Sequence, residues 1–114
     1  MAQEDAPICP CLEGDVFFQN FERREVGDGP DFGEVSVNTC KRCGRDWLEY
    51  FVEYEYLTGA GRWFRGVVAP ETTASVNPSE VKTILESLEW YFRGGSAFGG
   101  QVAKTFGPLK PWLL

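Results

Sequence analysis

Histidine is missing from all 114 residues. That absence removes the commonest general base, so His-based triads and HExxH metal sites are excluded. No apolar run is long enough to cross a bilayer. The opening MAQEDAPICPC has neither a basic start nor an apolar h-region, so no secretory signal is expected. The expected setting is the reducing cytoplasm, where paired cysteines are more often metal ligands or redox groups than structural disulfides. No GK[ST] is present, and the glycine-rich GGSAFGG, 94 to 100, follows a helical pattern. Phosphate loops precede a helix and use its positive end, so that segment reads as a loop or reverse turn instead.

Acid and base are unevenly balanced. The formal charge is −6, and four thiolates on one zinc would add about −2. An acidic chain is a poor general binder of phosphate backbones; its charge reads first as self-repulsion that keeps it soluble, and the sharper reading is a basic protein partner. Acid is nevertheless absent from 94 to 114, and Lys41, Arg42, Arg45, Arg62 and Arg65 gather in the middle of the chain. A local basic patch is therefore expected on an acidic molecule.

The length suits a single domain, 1–114. DVFFQNFERREV, 15 to 26, reads as a first strand, and the glycines and proline of GDGPDFG as a turn. EVSVNT, 34 to 39, alternates strictly, as a half-buried strand does. DWLEYFVEYEYL, 46 to 57, carries Leu48, Tyr50, Val52, Tyr54 and Tyr56 on one face. Its other face holds Trp47, Glu49, Phe51, Glu53 and Glu55, whose carboxylates read as a solvated surface that discourages edge pairing. TGAG then turns the chain into RWFRGVV, 62 to 68. APETTASV loosens it.

At NPSE a helix is expected over 77–93. Asn77 is its N-cap, Pro78 sits at N1 and Glu80 completes a capping box. Val81, Ile84, Leu85, Leu88, Tyr91 and Phe92 form its apolar stripe, and Gly94 its C′ residue. The stripe should dock on the Leu48–Tyr56 face. QVAKTF reads as a short edge strand, and Trp112 with the terminal leucines should pack back on the body. The echo between WFRG, 63 to 66, and YFRG, 91 to 94, falls on a strand and a helix end, which gives the two copies unequal roles.

The four cysteines stand in two pairs, Cys9 and Cys11 in CPC, Cys40 and Cys43 in CKRCG. An antiparallel meander brings both pairs to one end of the sheet, where they can offer a zinc ion four soft ligands. Gly44 suits the positive φ with which the chain leaves such a knuckle. A redox pair and unligated thiols are the alternatives. Lys41, Arg42 and Arg45 would depress a thiolate pKa, but a strand pattern follows the CxxC where thioredoxin-like sites have a helix.

CPC with CKRCG, each leading into strands, resembles a zinc ribbon over residues 9–68. The resemblance implies a structural zinc on Cys9, Cys11, Cys40 and Cys43, with function in binding protein or nucleic acid. Pro10, the one residue inside the first pair, departs from the usual two-residue spacing and has no amide to give a thiolate.

The fold expected is α+β: a mainly antiparallel, zinc ribbon-like sheet of about four strands, one helix over 77–93 and a glycine-rich tail over 94–114. The function expected is non-catalytic: a zinc-stabilised, protein-binding module of antitoxin or immunity type. The alternatives are a nucleic-acid-binding ribbon and a thiol redox protein. The candidate partner-binding residues are Lys41, Arg42, Arg45, Arg62, Trp63 and Arg65. Arginines beside aromatics suit single strands, although on a strand Trp63 and Arg65 face away from Arg62 and Phe64.

Overall fold

A computed structural model of the chain describes residues 8–29, 33–53, 61–96 and 99–107. Among these, six strands form one antiparallel sheet in sequential order. They are β1 (Phe21–Asp28), β2 (Glu34–Cys40), β3 (Asp46–Val52), β4 (Arg62–Val68), β5 (Trp90–Gly94) and β6 (Ala103–Phe106). Two short helices, α1 (Pro70–Ala74) and α2 (Val81–Glu86), lie between β4 and β5. A 3-10 turn, Pro78–Glu80, runs directly into α2. The molecule is therefore mostly β, not a four-strand zinc ribbon with a substantial helix.

The expected helix over 77–93 fails in its second half. Its start is as read: Ser79 N–H donates to Asn77 Oδ1 at 3.0 Å, and Asn77 N–H donates to Glu80 Oε1 at 3.3 Å. It ends at Glu86, where Ser87 donates both its N–H (3.1 Å) and its hydroxyl (2.6 Å) to the Ile84 carbonyl. A serine bonding back into the last turn competes with further α-helix. Beyond it, Trp90, Tyr91 and Phe92 alternate between the two faces of the sheet as β5. Aromatics that a helix would gather on one stripe here fill two cores, and the strand gives the backbone of β4 a partner.

The first strand also differs. Residues 18–20 form a 3-10 turn, and β1 begins only at Phe21. Asp15 accepts from Phe17 N–H at 3.0 Å and from the Asn20 side chain at 2.8 Å. Short polar side chains that bond the local chain offer it an alternative to a ladder. APETTASV contains α1, whose Thr73 hydroxyl donates to Asp46 Oδ2 on β3 at 2.6 Å. The expected edge strand in QVAKTF appears as β6. Most of TGAG, Tyr54–Leu57 and the tail beyond Gly107 lie outside the described residues.

The sheet buries apolar side chains on both faces. On the first, Val35, Val37, Leu48, Tyr50, Val52, Phe64, Val68 and Tyr91 pack with Val81 and Leu85 of α2. This is the face the helix stripe was expected to cover. On the second, Phe21, Cys40, Trp47 and Phe92 pack with Cys11, and Trp63, Val67 and Trp90 lean on them. WFRG and YFRG turn out to be neighbours on β4 and β5, with Trp63 opposite Gly94 and Arg65 opposite Phe92. Their roles are closer than the sequence suggests. Trp63 packs against Gly94, where a Cβ would stand 2.4 Å from the indole ring.

Candidate metal centre

Both cysteine pairs come to the same end of the sheet. Cys40 closes β2, and the turn over residues 41–43 reverses the chain into β3. Gly44 N–H donates to the Cys40 carbonyl at 2.8 Å, and Cys40 N–H to the Arg45 carbonyl at 2.9 Å. Gly44 takes φ +80°, a conformation that glycine adopts at little cost. On the other side a 3-10 turn, Pro10–Glu13, follows Cys9. Proline at its first position needs no amide partner, and the turn bends the chain so that both CPC sulfurs point the same way. One intervening residue thus suffices.

The four sulfurs all lie within 4.8 Å of one another. Cys9 Sγ is 3.6 Å from Cys40 Sγ, and Cys11 Sγ is 3.5 Å from Cys43 Sγ. Such a group can hold a metal ion. Bonds of about 2.3 Å to a tetrahedral zinc would set the sulfurs about 3.8 Å apart. Cys11 and Cys40 are buried, Cys9 is half-buried and Cys43 is exposed.

The electrostatics fit a cation. Burial acts against ionising Cys43, but the Arg45 backbone N–H and guanidinium outweigh it and bring the thiol down to about 6. Burial likewise opposes ionising Cys40, and the Arg42 and Cys43 amides more than offset it. Cys11 is pushed up, first by burial and then by its bond with Cys43. Crowded thiols share protons in this way because neighbouring thiolates repel. A divalent cation would take the place of those protons.

The indole N–H of Trp47 points to the same conclusion. It is buried without a hydrogen bond of good geometry among the described residues, yet it lies near the Cys11 sulfur and favours its ionised form. An orphaned donor beside a sulfur is accounted for when that sulfur is a metal-bound thiolate.

The six candidate partner-binding residues do not form one patch. Lys41 pairs with Glu22 at 3.6 Å, Arg42 with Asp15, and Arg45 with the Cys43 sulfur. These three flank the cysteine cluster. Arg62 lies on the helix-covered face, opposite Val52. Trp63 and Arg65 lie on the other.

There Arg65 is only 4% exposed. Its Nε is 3.0 Å from Glu49 Oε1 but out of line for a hydrogen bond, and its Cζ sits 4.7 Å over the Phe21 ring. Burial lowers its pKa and Glu49 opposes that effect. Glu49 also accepts from the Asn38 amide at 3.3 Å and lies 3.8 Å from Arg23. The expected solvated glutamate face is thus wrong at Glu49, although Glu53 is exposed and Glu55 lies outside the described residues. Val16, Phe18, Phe21, Arg23, Asn38, Glu49, Trp63 and Arg65 together line a cavity of about 380 Å³. Sequence reasoning missed this cup. Its one trace was the polar pair Ser36 and Asn38 opposite Val35 and Val37, and both polar residues are buried.

No family model, curated protein or solved structure matches this chain.

Proposed function

We propose that the chain is a non-catalytic binding module held together by a structural zinc ion on Cys9, Cys11, Cys40 and Cys43, and that its partner is a basic protein. One observation carries the metal: four sulfurs from two distant turns converge on a single point. Sulfur from all four cysteines also closes the coordination shell, whereas catalytic zinc keeps a position open. Thiolate-only ligation is the soft donor set that zinc favours.

The charge of −6 supports a basic partner, because complementary fields speed association and fix orientation. Ile8, Phe17 and Phe18 add exposed apolar side chains on the N-terminal arm. Nucleic acid is disfavoured: the cations beside the cysteines already face acids or sulfur, and Arg62 points away from Trp63 and Arg65. An immunity-like role against a basic nuclease is the form of partner binding that the acidity suits.

Metal analysis of the native protein tests the first half. One zinc per chain is expected, with a partial loss of folded dichroism on chelation; a metal-free, fully folded chain would refute it. Affinity capture at low salt tests the second. A basic protein released by salt is expected, and recovery of no protein partner would overturn that half alone.

A further inference from the structure

The four sulfurs form two couples as well as one cluster. Cys9 Sγ faces Cys40 Sγ at 3.6 Å, and Cys11 Sγ faces Cys43 Sγ at 3.5 Å. Each couple joins the N-terminal arm to the turn at the end of β2. A disulfide brings its sulfurs to about 2.0 Å, so each couple has a short way to close. A bond inside CPC would instead close a small, strained ring.

The sulfurs are not equally open. Cys11 and Cys40 are each 1% exposed, whereas Cys43 is exposed. A cavity of about 480 Å³ opens beside Cys43, lined in part by Ile8, Cys9, Arg42 and Arg45. The Arg45 guanidinium reaches the Cys43 sulfur. Oxidation of cysteine follows access and a positive surrounding, and Cys43 has both.

We propose that Cys43 is an oxidation site for a peroxide, and that the cluster resolves the product into disulfides between the two turns, Cys11–Cys43 first and Cys9–Cys40 second. The Cys43 sulfur attacks one oxygen of hydrogen peroxide. The S–O bond forms, the O–O bond breaks and hydroxide leaves beside Arg45, which makes a sulfenic acid. The Cys11 sulfur then attacks the Cys43 sulfur; the S–S bond forms and the S–O bond breaks. The departing hydroxide takes up the Cys11 proton and leaves as water. Each disulfide thus oxidises two thiols, reduces one peroxide and releases two waters. A second peroxide does the same for Cys9 and Cys40. The arm stays joined to the turn, now by covalent bonds. The pairing rests on the sulfur positions alone. Release of zinc as the first couple closes is the one part that rests on the metal reading above.

The native chain tests this with hydrogen peroxide at one and then two equivalents. Remaining thiols are alkylated and the disulfides mapped without reduction. Trypsin cuts after Lys41 and Arg42 and so separates Cys40 from Cys43, and fragmentation between Pro10 and Cys11 separates the other two. One equivalent should link Cys11 to Cys43 and leave Cys40 alkylated; two should add Cys9–Cys40. Dimedone in excess during the first step should label Cys43, and where resolution outruns the trap the map decides. A colorimetric zinc dye should report the ion lost with the first bond. A bond between Cys40 and Cys43, the crossed pairs Cys9–Cys43 and Cys11–Cys40, a first label on another cysteine, or no reaction with peroxide would overturn the proposal. A native chain that holds no zinc would refute the metal, and the same map would still decide the pairing.

Discussion

Cys11 and Cys40 are the sulfurs that water scarcely reaches. Replacing either by alanine would leave three ligands and an opened site, and structural zinc in small domains is folding energy in itself. Cys11→Ala and Cys40→Ala should each lose the bound metal in elemental analysis. Each should also melt at the same temperature with and without chelator, unlike the parent. Gly94 is a second single-residue test. Alanine there would drive a methyl group into the Trp63 indole, whose ring atom stands 2.4 Å from the position of the new carbon. Gly94→Ala should cost about 1–3 kcal/mol in urea denaturation. It should also move the Trp63 indole signal, because the ring has to leave its seat.

Among the elements, α2 contributes most through Leu85, which is fully buried against the β3 and β4 side chains. Leu85→Ala should destabilise the chain by about 2–5 kcal/mol, read from the midpoint of chemical denaturation at unchanged slope. The start of this helical segment was legible because Asn77, Pro78 and Glu80 act through local bonds. Its end was not. Tyr91 and Phe92 satisfy a helical stripe and a strand equally well as a pattern, and the arbiter is the open edge of β4, a tertiary fact. β2 and the first half of β3 were legible for the opposite reason: their period of two has no helical rival. The strand expected from residue 15 failed because Asp15 and Asn20 bond each other, which composition alone does not disclose. The convergence of the cysteines followed from strand direction alone. The cup did not, because Arg23, Asn38, Glu49 and Arg65 come from four different strands, and registers must be known before they meet.

At the scale of the whole molecule, the described strands form a simple succession of hairpins, and the four-cysteine cluster joins the arm around residues 9–13 to the turn between β2 and β3. Chelation should therefore act unevenly. Amide hydrogens of β1 should lose protection from exchange before those of β3 and β4, which lie at the middle of the sheet and are covered by α2. Uniform loss across all strands would mean that the ion holds the entire fold and not mainly its first edge. Salt should weaken capture of a basic partner, since the net charge acts over distances that ions screen.

Every sulfur donor lies before β3, the last of them at Cys43. A ribosome has therefore delivered the complete ligand set while more than half of the sheet is still unmade. An ion bound at that cluster would be captured by the emerging chain, and each later hairpin would add to an end already anchored.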